Sequence, residues 1–278
     1  MVDAMERKNN QATVIPEWEP PEPPTDLIFD DGEPLESNRH RIAMNVLIRS
    51  ILQALEGRSD YFTGGNMFVY YSREQKMNRD FRGPDFFVVL GIEGNRDRQG
   101  WVVWEEEGRY PDVIVELLSP STATVDFGEK KALYEKVFRT PDYFVFDPFN
   151  PDSLQGWHLL LGKGYQELKP NERGWLWSES LQLWLGTWEG AITREPVEGS
   201  CHWLRFYKTD RTLVPLPEEA AEQKAEQARQ RAEQEKQRAD KEKQRADKEK
   251  QRAEQEKQEK EKLKERLRAL GVDPDQEV

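Results

Sequence analysis

The chain has few of the residues on which several kinds of site depend. Its 278 residues include a single cysteine, Cys201, which excludes a disulfide framework and a zinc site built from several cysteines. The three histidines, His40, His158 and His202, lack the spacing of metal ligands. Such sparing use of cysteine suits a reducing compartment, so we expect a cytoplasmic protein.

Long apolar runs are also missing. No stretch of the sequence approaches the ~20 apolar residues of a membrane-spanning helix, and the N-terminus lacks the apolar core of a secretory signal. No membrane partner is therefore expected. The sequence also lacks a glycine-rich phosphate loop, a dinucleotide fingerprint and an RNA-binding signature of interleaved basic and aromatic residues. These absences argue against nucleotide-binding enzymes and common RNA-binding modules.

The net charge of −12 is unevenly distributed. Residues 218–270 contain 17 basic and 15 acidic residues, and three acids follow them, so residues 1–217 carry a net charge of −11. A region this acidic is not expected to bind DNA nonspecifically, because phosphate neutralisation requires clustered Lys and Arg. It remains compatible with a metal-dependent nuclease, whose acids are partly neutralised by bound cations.

Composition divides the chain into four parts. Residues 1–25 are polar and proline-rich, which predicts a disordered arm. Residues 26–215 contain the apolar and aromatic segments of one globular domain. Residues 216–270 are predicted to form a charged helix or a weak coiled coil, and residues 271–278 a disordered tail.

The sequence of the globular part predicts an α/β domain. Near-helical spacing of apolar residues follows Ser37 and Asn38, either of which is a plausible N-cap. Apolar runs predict strands at 67–71, 84–90, 101–104, 112–118 and 142–147, with a helix at 126–138 between the last two. Because these runs do not alternate with polar residues, we expect strands covered on both faces. Hairpins are predicted farther along, with a possible edge strand at 202–207.

The tail is built on a seven-residue repeat. Acidic and basic residues recur three apart, which stabilises an exposed helix. A strong coiled coil needs two apolar positions per heptad, but here the repeat offers only alanine, so a solvated helix is favoured over a coiled coil. Three leucines near its end could form a self-association patch, which suggests a homo-oligomer or a protein partner. The alanines are Ala225, Ala232, Ala239, Ala246 and Ala253, and the leucines are Leu263, Leu267 and Leu270.

Glu116 is the residue that most requires an explanation. It lies within the apolar run Val-Ile-Val-Glu-Leu-Leu, and an acid is costly to bury without a partner. A functional role is favoured over a structural ion pair. Asp85 heads an earlier strand. If the two strands are neighbours, both carboxylates could bind one divalent cation such as Mg²⁺ or Mn²⁺.

Two further residues could complete such a site. Lys130, in the helix after the Glu116 strand, could orient a water molecule or balance charge; the alternative is an ordinary surface lysine. Glu36 could supply another acid, although a solvated first helical turn explains it better. Tyr134, one turn after Lys130, is more simply explained by packing.

These residues carry a resemblance to a known family. The segment 111–122 (PDVIVELLSPST), preceded by Pro84-Asp85 and followed by Asp126 with Lys130 and Tyr134 and then by the segment 143–148 (YFVFDP), resembles the bacterial Uma-two family of restriction endonucleases. That family belongs to the PD-(D/E)xK nuclease-like superfamily. The resemblance covers roughly residues 30–215.

The resemblance implies a restriction-endonuclease-like core: a mixed sheet flanked by helices, with a divalent-metal site acting on DNA. By this resemblance Asp85 and Glu116 would be metal ligands and Lys130 the site lysine. The lysine that the superfamily places two residues after the acid is replaced here by Leu118, so Lys130 would have to reach back into the site. The alternative is a catalytically inactive nuclease fold that acts as a binding or assembly protein through its C-terminal helix.

Overall fold

The structure, a computed structural model, describes Leu27 and residues 37–72, 83–197 and 199–270. The predicted arm at 1–25, the predicted tail at 271–278 and the candidate site residue Glu36 lie outside the described residues. The chain divides into two compact units, one ending at Val214 and the other beginning at Pro215. Each is described by itself.

In its described residues the first unit contains two longer helical segments, a short 3₁₀ helix and eleven strands. The helical segments are α1 (Asn38–Ala54) and α2 (123–138). The strands are β1 (Tyr61–Gly64), β2 (Val69–Tyr70), β3 (Phe86–Leu90), β4 (Trp101–Val102), β5 (Val113–Leu117), β6 (Asp142–Phe146), β7 (Gln155–Leu160), β8 (Gly164–Glu167), β9 (Leu176–Ser178), β10 (Leu183–Gly190) and β11 (Cys201–Tyr207).

Six of these strands form the main sheet, in the order β1-β3-β5-β6-β7-β8. Strands β5 and β6 are parallel, with α2 as the connection between them, and every other neighbouring pair is antiparallel. Strands β11, β10 and β9 form a second sheet. The expected mixed α/β fold is therefore confirmed.

The central strands are buried on both faces, as their apolar sequences require. All five residues of β5 and all five of β6 are buried. One face packs against aromatic side chains of α2, including Tyr134 and Phe138. On another side of the unit, α1 packs against β11 and β1. Its N-cap is Ser37, whose Oγ accepts a hydrogen bond from the His40 backbone amide at 3.3 Å.

The structure differs from the sequence-based expectations at three places. The strand predicted at 67–71 shortens to β2, which pairs in parallel with β4 in a separate two-stranded ribbon. The edge strand β1 was not predicted, because three of its four residues are only half-buried and its sequence lacks a continuous apolar run. The chain after β4 turns into a 3₁₀ helix at Val103–Glu105 rather than continuing as a strand.

The second unit contains one long helix, α3 (Pro217–Ala269). Pro217 occupies its first turn, where the missing amide hydrogen costs nothing, and the Glu219 side chain accepts a hydrogen bond from the Leu216 amide at 2.7 Å. The helix spans about 80 Å at 1.5 Å per residue, and nearly all its side chains are exposed. Among the described helices, none combines the length and apolar character needed to cross a membrane.

Close packing between β6 and β7 allows a test of the sheet. Gly156 of β7 lies opposite Phe144 of β6, and a Cβ added to it would lie 2.5 Å from the Phe144 ring. We expect Gly156→Ala to lower the free energy of unfolding by about 1–3 kcal/mol, as overpacking does. The measurement is urea denaturation.

Gly128 of α2 provides the matched control, because an added Cβ would meet no atom within 4 Å. Gly128→Ala should be neutral or should stabilise the protein by about 0.5–1 kcal/mol, since alanine favours helix over glycine. Equal stability of the Gly156→Ala and wild-type proteins would contradict the β6–β7 packing.

Candidate active site

Strand pairing brings Asp85 beside Glu116. Strands β3 and β5 are antiparallel with Phe86 opposite Val115, so the residue just before β3 meets the C-terminal half of β5. The Leu117 amide donates a hydrogen bond to Asp85 Oδ2 at 2.7 Å, and the Asp85 amide donates a longer one to Glu116 Oε2 at 3.4 Å. The two strands are thus neighbours, which is the condition under which the two acids could act together.

Lys130 points into this site from α2. Its Nζ lies 3.0 Å from Glu116 Oε2 and 2.8 Å from Asp126 Oδ1. Only 16% of the Lys130 side chain is exposed. The lysine therefore lies between two buried carboxylates rather than in solvent, and it takes part in the same cluster as Glu116.

Sequence reasoning assigned no site role to two members of this cluster, Asp126 and Tyr134. The Tyr134 hydroxyl donates a hydrogen bond to Glu116 Oε1 at 2.7 Å, so both oxygens of Glu116 have partners. Asp126 is 1% exposed. A usable signal was present in the sequence: Asp126, Lys130 and Tyr134 are each four residues apart, and that spacing places side chains on one face of a helix.

Helix α2 has an unusual backbone at these residues. Short α-helical turns at Ala123–Val125 and Lys131–Leu133 alternate with π-helical turns at Asp126–Lys130 and Tyr134–Phe138. A π-helical turn is wider than an α-helical one, so residues four apart stay closer to one line along the helix. Such turns are frequent at functional sites. All three side chains of the series accordingly reach the Glu116 region.

Burial dominates the electrostatics of the site. It raises the pKa of Glu116 to about 7, an effect that Lys130 opposes and Asp85 reinforces. Burial likewise raises the pKa of Asp85 and of Asp126 above their ordinary values. For Lys130, burial alone would lower the pKa, but the surrounding carboxylates outweigh it and raise the pKa above its usual value. Lys130 is therefore a permanent cation at neutral pH.

The charge balance and the donor atoms of the site fit a divalent cation. When ionised, Asp85, Glu116 and Asp126 together with Lys130 carry a net charge of −2. Neither oxygen of Asp126 has a partner in good hydrogen-bond geometry, although Lys130 forms an ion pair with it. Carboxylate oxygens are the ligands that Mg²⁺ prefers, with water filling the remaining positions.

The part of the chain that the structure describes contains no group of three or more His, Cys, Asp or Glu side chains placed to hold a metal ion. The protein ligands for a cation would then be two carboxylates, those of Asp85 and Glu116. Two carboxylates are enough for Mg²⁺, which keeps several water molecules when it binds to proteins.

Two further polar residues near β5 do not join the cluster. Asp112 accepts a hydrogen bond from the Leu90 amide at 2.7 Å, at the opposite end of β5 from Glu116. His40 lies closer, because one of its ring nitrogens is 3.2 Å from the carbonyl oxygen of Leu118. Glu36 falls outside the described residues.

Residues 15–192 match the model of the Uma2 family, described as "Putative restriction endonuclease". The chain belongs to the Uma-two family. Among solved structures, it is similar to a protein from Anabaena variabilis ATCC 29413 described as a "putative nuclease belonging to DUF820", with 14% identity and a TM-score of 0.38 over 53% of this chain and 76% of that chain. That likeness is too slight to carry an argument. A search of curated proteins finds no match.

The Uma-two match contains the whole candidate site. Residues 85–134, which include both acids, the lysine and the tyrosine, lie inside the matched segment, whereas α3 lies entirely beyond it. Family membership therefore bears on the first unit and not on the long helix.

The buried acids should make the stability of the metal-free protein depend on pH. The pKa of Glu116 is about 7 in the folded chain, against an ordinary value of 4.5, so the folded state binds more protons between these values. The free energy of unfolding should then fall as pH rises from about 4.5 to 7. Glu116→Gln should reduce this fall by about 1–3 kcal/mol. Urea denaturation in EDTA, repeated across this pH range, measures the free energy of unfolding of each protein.

The raised pKa values of Asp85 and Asp126 also lower the free energy of unfolding as pH rises. Part of the decrease should therefore remain in Glu116→Gln. Lys130 stays protonated throughout this range and contributes no slope. Glu129→Gln, which changes an exposed acid of α2, is the control and should follow the wild-type curve. Identical pH slopes for Glu116→Gln and wild type would contradict the assigned burial.

Proposed function

We propose that this Uma-two protein is a metal-dependent endonuclease that hydrolyses DNA phosphodiester bonds. The observation that supports the proposal most is the convergence of Asp85, Glu116 and Lys130, from two strands and a helix, on one point of the sheet. The family's description as a restriction endonuclease supports DNA as the substrate. A cytoplasmic location, where such a substrate is found, agrees with a single free thiol.

In this proposal Asp85 and Glu116 hold Mg²⁺ or Mn²⁺. A bound divalent ion supplies a Lewis acid for a phosphate oxygen and lowers the pKa of a bound water molecule. Tyr134 orients the Glu116 carboxylate through its hydrogen bond to Oε1. Because the raised pKa of Lys130 keeps it protonated, this residue donates hydrogen bonds to a phosphate oxygen and stabilises the developing negative charge. It does not act as a general base.

A second candidate function is assembly without cleavage, with α3 as the binding element. It is supported by the exposure of α3 along its length, including 60% of Leu263 and 79% of Leu270. Leucines this exposed are typical of a contact surface when several occur close together. The partner would be a second copy of the chain or another protein.

The endonuclease proposal predicts cleavage of plasmid DNA that requires Mg²⁺ or Mn²⁺ and is lost with EDTA. Asp85→Asn and Glu116→Gln should each reduce the rate at least 100-fold, because each removes a metal ligand. Lys130→Met should reduce it about 100- to 1,000-fold, as loss of one electrostatic donor does. Gel electrophoresis of supercoiled plasmid follows the reaction.

Lys131→Met is the matched control for the lysine. Lys131 is the next residue of α2, but its Nζ lies 3.6 Å from the centre of the Trp157 ring instead of facing the acids. Its substitution should leave the rate within about threefold of wild type. Cleavage that persists in both Asp85→Asn and Glu116→Gln would refute the site assignment.

The assembly proposal predicts that the chain self-associates through the end of α3. Replacing Leu263, Leu267 and Leu270 by Gln removes apolar area without breaking the helix, so it should shift the measured mass toward that of a monomer. Light scattering coupled to size exclusion gives this mass. The control replaces Glu242, Glu249 and Glu256 by Gln. A wild-type mass equal to one chain at all concentrations would exclude self-association.

A further inference from the structure

Phe149 is an exposed aromatic residue at the end of the sheet that carries the candidate site. It follows β6, and β6 is parallel to β5, so the chain leaves both strands at the same edge of the sheet. The side chain of Phe149 is 62% exposed, although a phenylalanine gains stability mainly by burial. The fold therefore gives little reason for a ring at this position.

The turn that carries Phe149 is held by many hydrogen bonds. The Phe149 amide donates to Asp147 Oδ1 at 2.8 Å, and the Asn150 amide donates to the Asp147 carbonyl oxygen at 2.9 Å. Ser153 closes the turn, because its Oγ accepts from the Asp147 amide at 2.8 Å and donates to the Asn150 carbonyl oxygen at 2.7 Å. A ring on so ordered a turn would lose little further backbone entropy when it binds a ligand.

Arg39 of α1 supports the ring from one side. Its guanidinium carbon lies 5.3 Å from the centre of the Phe149 ring and 4.9 Å from the centre of the buried Trp203 ring. The guanidinium thus contacts both rings, and one Nη lies 2.7 Å from Cys201 Sγ. Although Arg39 and His40 both lie beside the ring, 62% of Phe149 is exposed, so a large part of its surface is accessible to a planar ligand.

Phe149 is linked to the candidate site by a short series of contacts. Its ring centre lies 6.0 Å from that of His40, and His40 contacts the Leu118 carbonyl oxygen at 3.2 Å. The Leu118 amide in turn donates to the Phe146 carbonyl oxygen at 2.8 Å. Leu118 is two residues from Glu116, which is about 7 Å along a strand. A polymer bound at Glu116 could therefore reach Phe149 within a few of its units.

We propose that Phe149 is a stacking platform for an unpaired nucleobase, so that the substrate is single-stranded or locally unpaired nucleic acid. The inference rests on the proposed endonuclease function, because it concerns a polymer bound at Glu116. Charge supports it: residues 1–217 carry −11, so attraction to phosphates supplies little affinity. Stacking of a base on an aromatic ring depends weakly on charge and tolerates every base.

The test measures binding separately from cleavage. The full-length chain, with Glu116 and Asp85 intact, is titrated in Ca²⁺ into a single-stranded oligonucleotide and into a blunt duplex, each containing 2-aminopurine. Single-stranded binding should quench the 2-aminopurine fluorescence. Adding Phe149→Ala should weaken single-stranded binding roughly tenfold or more, as loss of one stacked base does. Binding to the duplex should change by less than about twofold, and the effect should persist as salt is raised.

Two further variants make the result specific to the ring. Phe149→Trp keeps an aromatic surface and should retain single-stranded affinity and quenching. Leu161→Ala removes an apolar side chain that is 85% exposed at the opposite end of the sheet, after β7, and should have no effect. Unchanged single-stranded affinity in Phe149→Ala, an equal loss on the duplex, or no binding to either nucleic acid would overturn the inference.

The two proposals can fail separately. If quenching depends on Phe149 but the protein cleaves no DNA with any metal, the stacking proposal is supported and the endonuclease proposal is contradicted. If the protein cleaves DNA with a metal and Phe149→Ala changes neither single-stranded nor duplex binding, the endonuclease proposal is supported and the stacking proposal is contradicted.

Discussion

The antiparallel pairing of β3 with β5 is the constraint on which the candidate site depends. Asp85 directly precedes β3, and the pairing places it beside the C-terminal half of β5, next to Glu116. A slip of one residue in this pairing would turn the side chains of β3 to the opposite face and separate the two acids. The aromatic residues of β3, Phe86 and Phe87, are fully buried on opposite faces of the strand, so such a slip would also require repacking on both sides of the sheet.

The site is costly to the fold that contains it. Glu116 is fully buried, and burial raises its pKa, as it does for Asp85 and Asp126. Lys130 and Tyr134 offset part of this cost through contacts of 3.0 and 2.7 Å to Glu116. A protein selected only for stability would place apolar residues here, since buried ion pairs are often no better than well-packed hydrophobic ones. Retained charge that the fold does not need is typical of functional sites.

The sequence was sufficient for the central strands and for the buried acid, but not for the edge strand β1 or for the groups that surround the acid. Glu116 stood out because its neighbours were all apolar, and β5, α2 and β6 followed from uninterrupted patterns. The inward direction of Lys130 could not be deduced, since the rotation of a helix depends on its turns, and α2 contains π-helical turns that no residue pattern marks. Tyr134 is interpreted as a packing residue from the sequence because aromatic residues usually pack; its spacing from Lys130 places the two on one face of the helix, but only the structure shows the 2.7 Å contact to Glu116.

The same negative charge that would attract a divalent cation restricts how a polyanion can approach. Four residues of the cluster carry a net charge of −2 when ionised, within a unit that is itself strongly acidic, so phosphates are repelled until a cation is bound. Affinity must then come from contacts that do not depend on charge. The edge of the sheet where β5 and β6 end has such a contact in the exposed ring of Phe149. Placing the proposed metal ligands and an aromatic surface on the same edge would allow an acidic protein to bind an acidic polymer.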